Sequence, residues 1–390
     1  VLIPYGRGWL KVDVEGEVVS ELGVSPKPGA VRDALVDPVS SPRLSEIAGR
    51  HVAVLVSDIT RPVPTSQILP SLLRELEGRE VSIIFALGLH RRQTRAEQAR
   101  ILGSTWGYRC LEHDLEDCLR VGVTGRGTPV EIFRPVVEAD TVVCTGGIEY
   151  HYYAGYTGGC KALLPGVASR ESIHCNHSLM WDPSCRPGNP GSLVRLDLEE
   201  AGRIAGVDFI LNTVSDSRGR IIGAVAGHPV KAHRRGAEIL DGFCRLKIEK
   251  ADVLLVSPGG WPFDINLYQA HKALENTKRA VKKGGSIILV AECCEGLGNQ
   301  VFQDWLNRGG SNRGKDDIKR GFVMGGHKAV LLAELARDYR LHLVSNLKLK
   351  ILERYFTLHQ TVQGALETAL AEQGGGRVVV VREGSHLLLG

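Results

Sequence analysis

Short apolar runs of about five residues recur along the chain, each leading into a loop and then into helical patterning. His51–Val56 leads into a helical stretch at Ser66–Leu76, and Val81–Leu87 leads into Arg95–Leu102. Thr141–Cys144 and Phe209–Val214 are two further runs. The pattern begins again near residue 249, with a strand at Asp252–Val256, a helix over Ile265–Lys282 and a strand at Ser286–Ala291. Helices near Val301–Leu306 and Lys328–Asp338 come next, then Leu341–Val344, a helix over Gln360–Glu372 and a last strand at Arg377–Arg382. Strands this short alternating with helices build βαβ units on parallel sheets. The expected fold class is therefore α/β: two α/β domains with parallel-type sheets, residues 1–247 and 248–390, with the active site in the cleft between them. The first forty residues read as short strands, Val1–Tyr5, Trp9–Val14 and Glu17–Ser20, and then a Pro/Gly loop.

Composition narrows the function classes. The chain has 48 Lys and Arg against 44 Asp and Glu, a net charge of +4, and 43% hydrophobic residues. That balance is ordinary for a globular protein and gives no reason to expect nucleic acid or an anionic membrane as partner. A membrane helix needs roughly 18 apolar residues in a row, far more than any run here. Val1–Tyr5 has neither the basic nor the apolar stretch of a signal peptide. The nine cysteines include no CxxC pair, which argues against a zinc ribbon and for reduced thiols in a cytoplasmic protein.

The chemistry sits in the loops at the strand ends. Strand 51–56 runs into Ser57-Asp58-Ile59-Thr60-Arg61-Pro62, and strand 81–87 into Gly88-Leu89-His90-Arg91-Arg92. Strand 141–144 runs into Gly146, Gly147 and His151. Open parallel sheets bind ligands outside the carboxyl ends of their strands, so Asp58, Arg61, His90 and His151 are placed to converge. Two readings of Ser57–Thr60 stand at this point, a ligand loop or a cap for the next helix. Arg61, in a loop stiffened by prolines, suits bidentate binding of a carboxylate or phosphate. His90 is either a site residue or a satisfied loop histidine.

Glu149–His177 is the densest segment, with His151, four tyrosines, Gly158-Gly159-Cys160-Lys161 and the pair His174 and His177. Two glycines before a single lysine resemble a phosphate cradle, although neither GxxxxGK[ST] nor GxGxxG is present. His174 and His177 could share a helix face. In the second domain, Asp264 reads as the cap of a helix whose core stripe is Leu267, Ala270, Leu274 and Val281. Gln269 and Lys272 share the other face, either as a solvated surface or as the lining of a cleft.

Four motifs in this order, Ser-Asp-Ile-Thr-Arg-Pro, Gly-Leu-His-Arg, His151 through Lys161, and Tyr-Gln-Ala-His-Lys, resemble the nickel-dependent lactate racemase family. These are 2-hydroxyacid racemases and epimerases that carry a nickel-pincer nucleotide. The resemblance spans both domains. It implies a covalent thioamide link from the cofactor, a nickel pyridinium-3,5-bisthiocarboxylic acid mononucleotide, to Lys161, with His177 as a further nickel ligand. It places Asp58, Ile59, Thr60 and Arg61 around the cofactor and substrate carboxylate, His90 and His151 as paired acid/base groups, and Gln269 and Lys272 on the substrate. Cofactor-maturation enzymes are implied as partners.

The implied reaction makes sense of these residue types. Removing Cα–H from a 2-hydroxy acid as a hydride needs an electron sink that side chains lack. The hydroxyl proton must leave with it, a task suited to histidine, and two histidines serve the two faces of a planar 2-keto acid. Two other classes remain open from the residues alone. One is a zinc-type hydrolase using the histidines of the 151–177 segment. The other is a non-catalytic carboxylate- or nucleotide-binding protein. Cys160 and the Arg91-Arg92 pair depart from the usual family pattern. Arg91 or Arg92 reaching the site would favour a dicarboxylate substrate.

Overall fold

The computed structural model describes residues 1–20, 25–309, 318 and 322–390. Three strands open the chain, β1 (Leu2–Tyr5), β2 (Gly8–Lys11) and β3 (Glu17–Val19), and helices α1 (Ala30–Val36) and α2 (Leu44–Ile47) come after them. Next are β4 (His51–Ser57), α3 (Thr65–Glu75), β5 (Glu80–Ala86), α4 (Arg95–Leu102), β6 (Arg109–Glu112), β7 (Cys118–Val123), β8 (Pro129–Phe133), α5 (Arg134–Val137) and β9 (Thr141–Gly147). A small hairpin of β10 (Tyr150–His151) and β11 (Gly155–Tyr156) precedes α6 (Arg170–Ser178), α7 (Leu193–Ile204), β12 (Val207–Ser215), β13 (Ile221–Gly227) and α8 (Pro229–Cys244). The chain continues through β14 (Arg245–Leu246), β15 (Ala251–Val256), α9 (Leu267–Thr277), β16 (Val281–Val290), α10 (Gln300–Asn307) and α11 (Gly326–Asp338). It ends with β17 (Arg340–Val344), β18 (Thr357–His359), α12 (Val362–Gln373), β19 (Val378–Val381) and β20 (Leu388–Leu389). Among the described residues no helix is long and apolar enough to cross a membrane.

Two compact units result. One is Gly23–Gly242, and the other joins Val1–Leu22 to Phe243–Gly390. The passage at Phe243 lies near the boundary expected at 247/248, but the N-terminal strands belong to the other unit. Their pairing explains why. β3 adds to β19 in parallel, Glu17 beside Val379 and Val19 beside Val381. Ile3 and Val12 pack into a core with Val253, Leu255, Ile288 and Val380. Nothing in residues 1–22 themselves marks so distant a partner.

In the Gly23–Gly242 unit the sheet order is β13-β12-β9-β4-β5-β6. β4 lies between β5 and β9, parallel to both, and only β13 runs antiparallel to its neighbour. Val52–Val56 is at most 1% exposed, as expected of a strand covered on both faces. The chain moves outward from β4 to β6, then returns to β9 on the other side of β4. That reversal opens a crevice at the carboxyl ends of β4 and β9.

The second sheet, β18-β17-β16-β15-β19-β3, is parallel throughout. Its own reversal lies between β15 and β19, and there the β1–β2 turn closes over the strand ends. Ser257 Oγ donates to Pro4 O at 2.7 Å and Trp261 N donates to Gly6 O at 2.7 Å. Asp264 takes part in this closure, accepting from Gly6 N at 2.6 Å and Glu292 N at 3.1 Å. It does not cap α9. Asn266 does, accepting from Gln269 N at 2.9 Å.

Ile3 is fully buried, so Ile3→Ala should cost about 2–5 kcal/mol, the usual range for emptying such a site. Hydrogen exchange should accelerate in β15, β16 and β19 while β4 and β5 keep their protection. Equal loss in both sheets would contradict the assignment of residues 1–22 to the second unit.

Candidate active site

Asp58 leaves the end of β4 and His90 lies just past β5, and the two side chains meet. His90 Nδ1 lies 2.6 Å from Asp58 Oδ2, with Asp58 5% and His90 38% exposed. The other carboxylate oxygen accepts from Thr60 N at 2.7 Å and from Thr60 Oγ1. Burial alone would raise the Asp58 pKa, but the His90 and Thr60 hydrogen bonds and the Arg61 charge outweigh it and hold it below 3.8. An ionised carboxylate only accepts, so Nδ1 carries the proton and Nε2 of the neutral ring presents a lone pair. Because the folded pKa is depressed, this contribution to stability is present above the unfolded value and is lost as pH falls through the folded one. The helix-cap reading of Ser57–Thr60 is overturned, since α3 starts after Pro64 with no side-chain cap. Ile59 packs partly against the core and donates its N–H to Gln93 Oε1 at 3.0 Å.

Lys161 sits in a short 3₁₀ turn, Gly159–Ala162, beyond the β10–β11 hairpin. Arg195, on α7 and 0% exposed, organises the approach to it. Its guanidinium donates to Ala154 O at 3.4 Å, to Gly158 O at 3.0 Å and to Tyr156 O. Glu199 beside it receives a bidentate pair from Arg234 at 2.7 and 2.8 Å. His233 Nε2 donates to Thr157 O at 2.8 Å, its Nδ1 facing Arg234. Gly159 N donates to Asn212 Oδ1 at 2.7 Å. Gly158 has φ +77°, and a Cβ there would lie 2.9 Å from Asn212 Oδ1, so the turn requires glycine. The loops of His90 and Lys161 are tied together by Gly88 N donating to Gly166 O at 2.9 Å.

Tyr153 gathers three of the expected residues. Its ring centroid is 4.4 Å from that of His151 and 5.2 Å from that of His177, both edge-on, and 5.7 Å from Lys161 Nζ. His177 is buried on α6, while His174 is partly exposed. His151 Nδ1 accepts from Ala154 N at 3.2 Å, so the neutral ring carries its proton on Nε2, the tautomer opposite to that of His90. Lys161 keeps some contact with solvent, yet its pKa falls well below 10.5, first through burial and then through the charges of Arg61 and Arg195. Arg61 is exposed, and its charge is near enough to act on both Asp58 and Lys161.

Gln269 and Lys272 lie on α9 in the other unit, Gln269 exposed and Lys272 half-buried, with Leu267, Ala270 and Leu274 on the core side. Arg91 is held bidentately by Glu97 at 2.7 and 2.9 Å, and Arg92 reaches Asp114 at 3.2 Å. Both arginines are thus engaged on the surface. Cys160 is buried, with its thiol pKa pushed up to about 12 by burial, and it packs where a Cβ on Gly202 would come within 2.4 Å of its sulfur. Arg195, Tyr153 and His233 carry no signal in the sequence that marks them out. Arg195 stands beside the apolar stripe of an amphipathic helix, where an arginine normally reads as solvated.

Residues 13–188 match the lactate racemase N-terminal domain and residues 246–389 the lactate racemase C-terminal domain. The chain belongs to the lactate racemase family. A lactate racemase from Thermoanaerobacterium thermosaccharolyticum is 32% identical over 381 residues, covering 89% of this chain and 88% of its own. One from Lactiplantibacillus plantarum is 30% identical over 383 residues, covering 92% and 90%. The structure of the T. thermosaccharolyticum lactate racemase apoprotein superposes with a TM-score of 0.94 at 29% identity, over 100% of this chain and 99% of that one. A Thermotoga maritima protein shares the fold, with a TM-score of 0.67 at 19% identity over 91% and 99%. As a member of this family the chain is an enzyme, an isomerase, and the α/β fold expected from its sequence is the family's fold.

In this racemase-family member Lys161 is not the lightly packed loop lysine that its two preceding glycines suggest. A lysine pKa lowered by folding costs stability wherever the unfolded chain binds a proton that the folded chain has lost. Lys161→Met should therefore raise the melting temperature of the apoprotein. The gain should shrink as pH rises toward 10.5, where the unfolded lysine also loses its proton. A gain that stays constant with pH would contradict the depressed pKa.

Proposed function

We propose that the chain racemises or epimerises a small, lactate-like 2-hydroxy acid through a planar 2-keto acid, using a nickel-pincer nucleotide attached to Lys161. The observation that carries this reading is the pair of histidines with opposite tautomers. His90 offers a bare Nε2, fixed by Asp58 at 2.6 Å, and His151 offers a protonated Nε2, because its Nδ1 accepts from Ala154.

The residues present fit the cofactor. A metal held by the chain alone needs three or four protein donors, and among the described residues no three His, Cys, Asp or Glu side chains group to hold one. A cofactor that brings its own sulfur and carbon donors asks less of the protein: an amine to anchor it and a further ligand. Lys161, with its depressed pKa, and His177, which packs on the same Tyr153 ring, are the candidates for those two groups. The same donor set disfavours a zinc hydrolase built on the 151–177 histidines. When bound, the nucleotide supplies the electron sink for the Cα hydrogen that no side chain offers.

The chain's own residues do the rest. His90 Nε2 takes the hydroxyl proton of one enantiomer as its Cα hydrogen leaves. Arg61 holds the carboxylate, with Gln269 and Lys272 as the substrate contacts assigned to the second unit, so that the ketone is re-presented without escaping. His151 Nε2–H then protonates the carbonyl oxygen on the opposite face, and exchange with solvent resets both rings. The reverse direction exchanges the two roles. Asp58, Ile59, Thr60 and Arg61 complete the loop assigned to the cofactor and carboxylate. Maturation enzymes are the implied partners, and a cytoplasmic setting agrees with nine cysteines that are all free thiols.

The test is racemisation of lactate by protein produced beside the maturation enzymes, together with its intact mass. His90→Ala and His151→Ala should each lower turnover by about 10²–10⁴ with the adduct mass retained. Asp58→Asn should cost at least tenfold by releasing the His90 tautomer. Near-wild-type turnover in both histidine variants would refute the two-face assignment.

Anchor and ligand separate by mass. Lys161→Ala should fold and show no covalent adduct. His177→Ala should keep the organic adduct and lose nickel, as read by native mass spectrometry and metal analysis. An unmodified Lys161 in active, nickel-containing protein would exclude the covalent attachment.

A further inference from the structure

Helix α9 carries Gln269 and Lys272, and a residue on another helix fixes its first turn. Lys328, in the first turn of α11, is 6% exposed. Its Nζ donates to Tyr268 O at 2.6 Å and stands 3.8 Å from the centroid of the Tyr268 ring. In an α-helix the carbonyl of Tyr268 also accepts from the Lys272 N–H. One oxygen therefore serves both the bond that closes the Gln269–Lys272 turn and the buried ammonium. A charged donor makes the stronger kind of hydrogen bond, and the tyrosine face adds a cation–π attraction.

Backbone bonds from Leu267 N to Gly296 O (3.1 Å) and Tyr268 N to Leu297 O (3.2 Å) hold the start of α9, and Asn276 Nδ2 holds its end through Gly384 O and Ser385 O, but none of these reaches another helix at the Gln269–Lys272 turn. The core side of α9 is Leu267, Ala270, Ala273 and Leu274, all at most 1% exposed, and apolar burial has no direction of its own. His271, one turn beyond Tyr268, is 1% exposed, and neither ring nitrogen has a hydrogen-bond partner. Glu275 pairs at 2.6 Å with Lys278, just past the end of the same helix. At the substrate-bearing end, Lys328 is thus a directional tether to a second helix.

We propose that Lys328 is a positioning residue for Gln269 and Lys272, setting the rotation of α9 through the Tyr268 carbonyl and so the direction in which those two side chains meet the substrate carboxylate. The tether stands on its own geometry, and its consequence for substrate rests on the function proposed above.

Three variants test it. Lys328→Met keeps the apolar stem and removes the charge, Lys328→Gln keeps a neutral donor, and Lys328→Arg keeps charge and donors. In the apoprotein, Lys328→Met should speed hydrogen exchange of the α9 amides, Lys272 N–H among them. In cofactor-loaded enzyme it should raise KM about ten- to hundredfold, the range of a lost charged hydrogen bond, with kcat within about threefold and the adduct mass unchanged. Arg should restore most of the KM, and Gln should fall between. If Met does not fold, the Gln and Arg variants carry the same comparison. Wild-type exchange in α9, or an Arg variant as impaired in KM as Gln, would overturn the tether. Faster exchange with unchanged KM, while Lys272→Ala raises KM, would overturn the positioning role and leave the proposed function standing. Unchanged KM in Lys272→Ala as well would remove the substrate role of α9, and this proposal with it.

Discussion

The guanidinium of Arg195 has no exposed surface, and it binds the carbonyls of Ala154, Tyr156 and Gly158. Backbone carbonyls in a glycine-rich segment must be satisfied once buried, and a segment with two glycines at positive φ has little conformational preference of its own. Arg195 resolves both problems at once. It supplies donors to three alternate carbonyls, and Glu199, itself held by Arg234, offsets its charge. Burial lowers its pKa only to about 10, so it remains a cation at neutral pH. His151, Tyr153 and Lys161 all lie on or beside the segment it holds.

The proposed chemistry depends on this arrangement in two ways. Burial first, and then the charges of Arg61 and Arg195, push the Lys161 pKa well below 10.5 and so favour the neutral amine, the form that makes covalent bonds. A neutral buried lysine is a stability cost that a core-forming side chain at this position would avoid. The second dependence concerns the histidines. Each ring has its Nδ1 engaged by a partner of opposite kind, a carboxylate for His90 and a backbone N–H for His151, and so each ring has a defined and different Nε2. A general acid and a general base are thereby distinguished without any difference in residue type.

The architecture explains why the separated motifs of the Gly23–Gly242 unit meet. Its strand order reverses between β4 and β9, and Asp58, His90 and His151 all come after strands that end at that edge. In the second unit the corresponding reversal is closed by the β1–β2 turn, through Pro4 O and Gly6 O. The crevice that remains open in that pair of sheets is therefore the one carrying the histidines.

Strand and helix positions are largely legible in the sequence because apolar runs and 3.6-residue periodicity are local signals. The Arg95–Leu102 helix agrees to the residue, and β4, β5, β9 and β15 agree to within a few. The α/β class comes from their alternation, and Asp58, Arg61, His90 and His151 stand out by their place after strand ends. The hidden part depends on partners distant in the chain. Asp264 has the residue type of a helix cap, but its Oδ2 accepts from both Gly6 N and Glu292 N, and Asn266 caps instead. Residues 1–22 look like the start of the first domain, yet β3 finds its register on β19, more than 350 positions later. Arg195 and Lys328 carry the charge of surface residues and are buried because carbonyls from other segments require donors. Local pattern determined which elements form and which loops carry reactive side chains. Only the tertiary structure decided which oxygen meets which nitrogen, because hydrogen-bond partners are set by distance in space and not by distance along the chain.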